Sequence, residues 1–280
     1  MAKITNVKGR QVFDSRGNPT VEAEVFLDND ISATAISPSG ASTGAFEAHE
    51  LRDQDKNSFL GKSVKKAVEN INKKIGLSLK GLDPADQSKI DKVLLDLDGS
   101  ENKKNLGANA TLAVSLANSK SAALSVKKPL YKNLGKSFSL PNPLMNIING
   151  GAHANNGLDI QEFMIVPAGF DSFSESLRAG VEIFHNLKEL LNKNSHSTAV
   201  GDEGGFAPDL KSNEEALSFI SEAVSNAGYK LGSEVFFALD VAATEIYNNK
   251  KYRIDKKDLN IEEISIYYQK LIDKYPIISI

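Results

Sequence analysis

The 280-residue chain contains no cysteine. Disulfides and thiolate metal sites are therefore excluded, any bound metal must be held by oxygen or imidazole, and a reducing cytoplasm is the expected compartment. Tryptophan is also absent, a compositional feature to which we attach no function. The formal net charge is −3 at pH 7, so the chain lacks the basic excess that marks nucleic-acid binding, and none is expected. The opening residues Met1-Ala2-Lys3-Ile4-Thr5-Asn6-Val7 hold no long apolar run, so a secretory signal is not expected. No window approaches 18 uninterrupted apolar residues, and a membrane segment is not expected either.

What is present is a balanced composition, 41% hydrophobic and 25% charged, suited to one large domain or two ordinary ones with a substantial core. Thr20 to Leu27 alternates polar and apolar residues, the period of a half-exposed strand. Asp28-Asn29-Asp30 is a turn signal leading to a second extended segment, Ile31 to Ile36. The pattern then turns helical. Val64, Ala67, Val68 and Ile71 share one face, and Ile90, Val93, Leu94 and Leu97 share another. Residues 108–124, rich in Ala, Leu and Ser, predict a closely packed helix. Antiparallel strands followed by helices predict an α+β domain over residues 1–140.

Pro141-Asn142-Pro143 marks a boundary, since proline restricts the backbone on both sides. Beyond it, Leu144 to Ile148 and Glu162 to Val166 predict short buried strands. Ser174 to Leu191 predicts a helix with Leu177, Val181, Phe184, Leu187 and Leu191 on one side. Ser212-Asn213-Glu214-Glu215 is a capping box for a helix carrying Leu217, Ile220 and Val224 and stopping at Gly228. Phe236 to Val241 predicts an apolar strand with an acid near its end, Ile264 to Leu271 a helix, and Pro276 to Ile280 another strand. Alternating strands and helices, with acids at strand ends, are the pattern of a β/α barrel enzyme. A full barrel takes about 250 residues, and residues 141–280 are too few, so the expectation is an incomplete barrel.

The chemistry concentrates in a few clusters. Gly201-Asp202-Glu203-Gly204-Gly205-Phe206-Ala207-Pro208 sets two carboxylates among glycines that permit tight turns and close approach; a solvated turn is the plain alternative. Glu162 and Asp240 lie at or beside buried strands, where an unpartnered carboxylate is costly and therefore pairs, protonates or binds a cation. A structural salt bridge would account for any one of them. Three acids together favour a divalent-metal and acid/base site, and with oxygen ligands the natural ion is Mg2+. Pro38 to Gly44 is a small-residue loop whose hydroxyls suit phosphate or Mg2+, or a simple flexible turn. His153 lies in the polar loop Asn149 to Asn156, where an exposed histidine is the plain alternative. Gly61-Lys62-Ser63 and Gly135-Lys136-Ser137 lack the glycine a phosphate-binding P-loop needs five positions earlier.

In this order the clusters strongly resemble the enolase family. The matching blocks are Asp14 to Glu22, Pro38 to Gly44, Gly107-Ala108-Asn109-Ala110, Asn146 to Gly151, Asp159 to Met164, Gly201 to Pro208 and Leu239 to Ala243. The resemblance implies a glycolytic lyase that dehydrates 2-phosphoglycerate, with two Mg2+ per site and a homodimeric assembly. It implies that Glu203 is the general acid for the departing 3-hydroxyl and that Asp240 is the first carboxylate around the tightly held Mg2+. It assigns Ser42 to the second Mg2+, His153, Gln161 and Glu162 to substrate contact, with Glu162 close to Glu203, and Arg16 to the neighbourhood of the site. Such chemistry needs metal ions to neutralise an enediolate and an acid to assist hydroxide loss.

The family's pattern continues past the strand on which this sequence stops, and it includes two more carboxylate ligands and a lysine base. The expectation is therefore a C-terminally truncated enolase chain, with little or no dehydratase activity as a 280-residue product. The alternative is a non-catalytic remnant serving as a binding or subunit-contact module.

Overall fold

A computed structural model describes residues 2–40 and 43–280. The expected second-metal residue, Ser42, lies outside the described residues. The chain forms two units, one of Met1–Gly40 with Phe46–Phe138, the other containing Ser139–Ile280.

The first unit opens with an antiparallel meander of β1 (Ile4–Phe13), β2 (Pro19–Leu27) and β3 (Ser32–Ser37), with β2 in the centre. Alternation along β2 sends Val21, Ala23 and Val25 into the core. A helical stretch follows, α1 (Lys65–Asn70), a π-turn at Ile71–Ile75 and α2 (Gly76–Leu79). Next come α3 (Gln87–Asp98), α4 (Ala108–Ser125) and α5 (Leu130–Leu134). Small side chains let α4 lie against β2 and β3, where Ala110, Ala113, Val114 and Ala117 are fully buried. On α3 the expected face holds at Ile90 and Leu94, but Leu97 is exposed. The inward position beside it belongs to Asp98, whose carboxylate accepts backbone N–H groups of Ser100, Asn105 and Leu106. The buried Asp98 carboxylate is thereby satisfied by three N–H groups, one of them, on Leu106, itself buried.

The second unit contains β4 (Met145–Asn149), β5 (Glu162–Val166), α6 (Phe173–Lys193), α7 (Asn213–Asn226) and β6 (Phe236–Asp240). It continues through α8 (Ala243–Ile246), the small meander β7 (Tyr247–Asn248), β8 (Lys251–Ile254) and β9 (Lys257–Leu259), then α9 (Ile261–Lys274) and β10 (Ile277–Ser279). The main sheet has the order β10-β6-β5-β4. Among the described residues it is open, an incomplete β/α barrel.

Strand β5 runs against both its neighbours, whereas β6 and β10 are parallel. The connections explain the reversal. Residues 150–161 join β4 to β5 without a helix long enough to carry the chain back, so the strands form a hairpin-like pair. Two helices, not one, then join β5 to β6, and an even number of crossings returns the chain in the opposite sense.

The helix over residues 174–191 is present, and Phe184, Leu187 and Leu191 of its expected face meet the core, but the buried side is rotated at its N-terminal half. Leu177 and Val181 are exposed, while Ser176, Ala179, Gly180, Ile183 and Leu187 face the core. Close packing selects the small residues: a Cβ on Gly180 would stand 2.2 Å from the Met145 sulfur. At α7, Ser212 accepts the Glu215 N–H as expected, while the Glu215 carboxylate reaches the Lys211 N–H (2.6 Å) and leaves the box half made.

Candidate active site

The site grows from one edge of the second unit's sheet. Because β5 is reversed, its first residue stands at the same edge as the last residues of β4 and β6: Asn149 pairs with Glu162, and Glu162 pairs with Asp240. The loop between β4 and β5 is tied down at both ends, with Gly150 N–H donating to Gln161 O (3.0 Å) and Gln161 N–H donating to Asp240 O (3.0 Å). Within this loop His153 sits on a single 3-10 turn, Gly151–His153, and is buried. The plain alternative of an exposed loop histidine does not hold, since the turn folds the imidazole inward.

The glycine-rich segment supplies Glu203. Phe206 anchors it beside β4, donating to Ile147 O (3.0 Å) and accepting from Asn149 N–H (2.8 Å), and its ring stacks on Phe184 at 4.2 Å. Asp202 N–H donates to His153 O (3.2 Å). Only glycine allows so close an approach: a Cβ on Gly201 would lie 2.4 Å from Asn149 Nδ2, and one on Gly205 would lie 2.5 Å from Asn149 Oδ1. The glycines flanking the two acids thus seat the segment against Asn149.

His153 Nδ1 is 3.5 Å from Glu162 Oε1 and His153 Nε2 is 3.9 Å from Glu203 Oε1. The three side chains offer ligand atoms all within 4.8 Å of one another, a cluster that can hold a metal ion. Asp240 borders it. Its Oδ1 accepts Ala242 N–H (2.9 Å) and its Oδ2 accepts a long bond from Gln161 Nε2 (3.4 Å). Burial pushes the Glu162 carboxyl above its usual range, and the charges of Asp240 and Glu203 add to the effect while His153 opposes it. Among the buried polar atoms without a hydrogen-bond partner are Asn149 Nδ2, His153 Nδ1 and Gln161 Oε1. Clustered carboxylates beside buried atoms with an unused lone pair, such as Gln161 Oε1, are an environment that a cation would relieve.

The structure therefore brings together His153, Gln161, Glu162, Glu203 and Asp240. Arg16 belongs to the first unit, where its guanidinium donates to Ser39 O (2.6 Å) and lies 3.8 Å from Asp14. Burial raises the proton affinity of Asp14, but N–H groups of Asn18 and Arg16 and the nearby guanidinium outweigh it and hold the carboxyl below its usual range. Sequence reasoning missed Asn149, whose backbone and side chain receive the glycine segment. Its only signal is its position directly before Gly150-Gly151.

Residues 4–134 match the family model described as the enolase N-terminal domain. Residues 137–280 match the one described as the enolase C-terminal TIM barrel domain.

Proposed function

Because the chain belongs to the enolase family, whose domains mark it as a lyase of that superfamily, we propose that its reaction is the reversible, Mg2+-dependent dehydration of 2-phosphoglycerate to phosphoenolpyruvate. The observation that carries this reading is the alignment of Glu162 with Asp240 across β5 and β6, with His153 and Glu203 closing over the same edge.

The donor set fits the ion. Carboxylate and amide oxygens of Asp240, Glu162 and Gln161 suit a hard cation, and the buried Gln161 Oε1 has a lone pair without a hydrogen-bond partner. Asp240 would hold Mg2+, with Gln161 steadying its carboxylate. Bound there, the ion supplies Lewis-acid stabilisation for charge developing on the substrate carboxylate. Ser42 is assigned to the second ion by the resemblance alone.

The remaining work falls to side chains. Glu203, half-exposed at the tip of its loop, gives its proton to the 3-hydroxyl as the C3–O bond breaks, so the group departs as water. His153, near Glu162 (3.5 Å) and Glu203 (3.9 Å), is the third substrate-contacting side chain. Gln161 and Glu162 line the substrate's polar side. Among the described residues no lysine is ion-paired to Glu162, Glu203 or Asp240, and the C2 proton acceptor is not assigned to this cluster. The test is formation of phosphoenolpyruvate from 2-phosphoglycerate by the protein purified from its own cells. Turnover that disappears with a chelator and returns with Mg2+ supports the reading; no turnover at saturating Mg2+ and substrate overturns it.

A further inference from the structure

Leading to the acidic edge is a partly buried polar assembly, centred on Asn213, to which nothing in the proposed chemistry assigns a part. Asn213, the first residue of α7, is fully buried. Its Oδ1 accepts the backbone N–H groups of Asp159 and Ile160, both at 3.1 Å. Its Nδ2 donates to Asp255 Oδ1 (3.0 Å) and to the Tyr267 hydroxyl (3.3 Å). Every hydrogen-bonding position of this amide is therefore occupied, and the carboxylate on one side and two N–H groups on the other allow only one orientation.

The next layer is equally closed. Asp255 Oδ2 accepts the Tyr267 hydroxyl at 2.7 Å, and Asp255 N–H donates back to Asp159 Oδ2 at 2.6 Å. Burial and the Asp255 carboxylate push the Tyr267 phenol far above its usual range, so it remains a hydrogen donor at any ordinary pH. Asp255 lies in the tight β8–β9 turn with φ of 46°, followed by Lys256 at 63°. The left-handed pair bends the chain so that the Asp255 N–H and carboxylate both point into the assembly.

We propose that Asn213 is a positioning residue, clamped by Asp255 and Tyr267, that fixes the Asp159–Ile160 backbone and thereby sets Gln161 and Glu162 in register with Asp240. The spacing supports the link. Asn213 grips the two residues immediately before Gln161, whose own N–H continues to Asp240 O at 3.0 Å. Helix α7, the β8–β9 turn and α9 each contribute one member, so three separate segments converge on one short approach to the acidic edge. Outer partners of this kind govern ligand placement without touching the ligand. The proposal deepens the reading of the site given above and relies on it only for the metal measurement.

Two measurements test it on the full chain. The first is amide hydrogen exchange in the N213A variant. Protection is expected to fall at Ile160 and Gln161 while Ile220 and Val224 of α7 keep theirs. Unchanged protection at 160–161, or equal loss throughout the unit, overturns the proposal. The second is Mn2+ affinity followed by water-proton relaxation. N213A is expected to lose about 10-fold, and Y267F, which keeps the ring and deletes one donor, is expected to lose less. The charge-conserving double variant N213D/D255N exchanges amide and carboxylate, so it should recover protection and affinity relative to N213A; a merely space-filling role predicts no such recovery. Mn2+ affinity unchanged in N213A would also overturn the proposal. A parent chain that binds no Mn2+ would instead overturn the metal reading, with the exchange comparison still deciding the role of Asn213.

Discussion

Glu162 and Asp240 stand opposite one another on adjacent antiparallel strands, the first residue of β5 beside the last residue of β6. Their side chains share a face because directly opposed residues in a ladder point the same way. Two like charges are thus held close at a half-buried edge, an arrangement that evolution of stability alone would not favour.

Burial of Glu162, reinforced by the charge of Asp240, has a pH signature. The folded chain holds the Glu162 proton to a higher pH than the unfolded chain, whose glutamates titrate near about 4.3. Between that value and the raised one, the folded state binds more protons, so its stability falls as pH rises. Glu162→Gln removes the group, and the variant is expected to lose this decline and to be the more stable chain at pH 7. Urea unfolding of both proteins from pH 4 to pH 8 provides the comparison; parallel curves would show that Glu162 is not the source.

Glu203→Gln keeps the shape of the loop and removes its transferable proton. Measured against a catalytically active parent protein, dehydration is expected to slow by about 10²–10⁴-fold, the usual contribution of a positioned acid, while exchange of the C2 proton with deuterated solvent survives. The two rates are read separately from product absorbance and from isotope incorporation in recovered substrate. Equal loss of both would remove Glu203 from the role of proton donor.

Asp240→Asn keeps an oxygen at the same place but deletes a charge. Divalent-ion affinity is expected to drop by at least about 10-fold, since even outer partners of metal ligands cost that much. Calorimetric titration with Mg2+ measures it directly. An affinity equal to the parent's would place the ion elsewhere.

Gly205→Ala tests the seating of the acidic segment. The added carbon would meet Asn149 Oδ1 at 2.5 Å and the Ile147 carbonyl carbon at 2.9 Å, so the segment must shift away from β4. A loss of about 1–3 kcal/mol in unfolding free energy is expected from such overpacking. Thermal unfolding checks it, and an unperturbed variant would mean that the segment can be held without this contact.

Much of the architecture is legible in the residue order. Residues 162–166 form the strand that their apolar run predicts, and residues 108–124 lie within α4. Ser212 caps α7, and Leu217, Ile220 and Val224 form its buried face. These features depend on neighbours within a few positions, which local periodicity and capping chemistry report directly. The acids themselves were legible too, because carboxylates among glycines or at the ends of apolar strands are unusual enough to stand out.

Other features exist only once the chain is folded. No local signal in Glu162 to Val166 reveals that β5 runs backwards; that follows from the connections on either side of it. At the first turns of α6 the close approach of Met145 to Gly180 turns small residues inward and leaves Leu177 and Val181 exposed, although Leu187 and Leu191 further along are buried as their spacing predicts. Asn213 reads as an ordinary helix-start residue, and it reaches Asp159, Asp255 and Tyr267 only because distant segments meet around it. The sequence by itself determined which chemical groups were available and which short segments would coil or extend. Tertiary structure decided which groups face one another and how strongly each perturbs the next, because direction, burial and electrostatic coupling depend on distances between residues far apart in the chain.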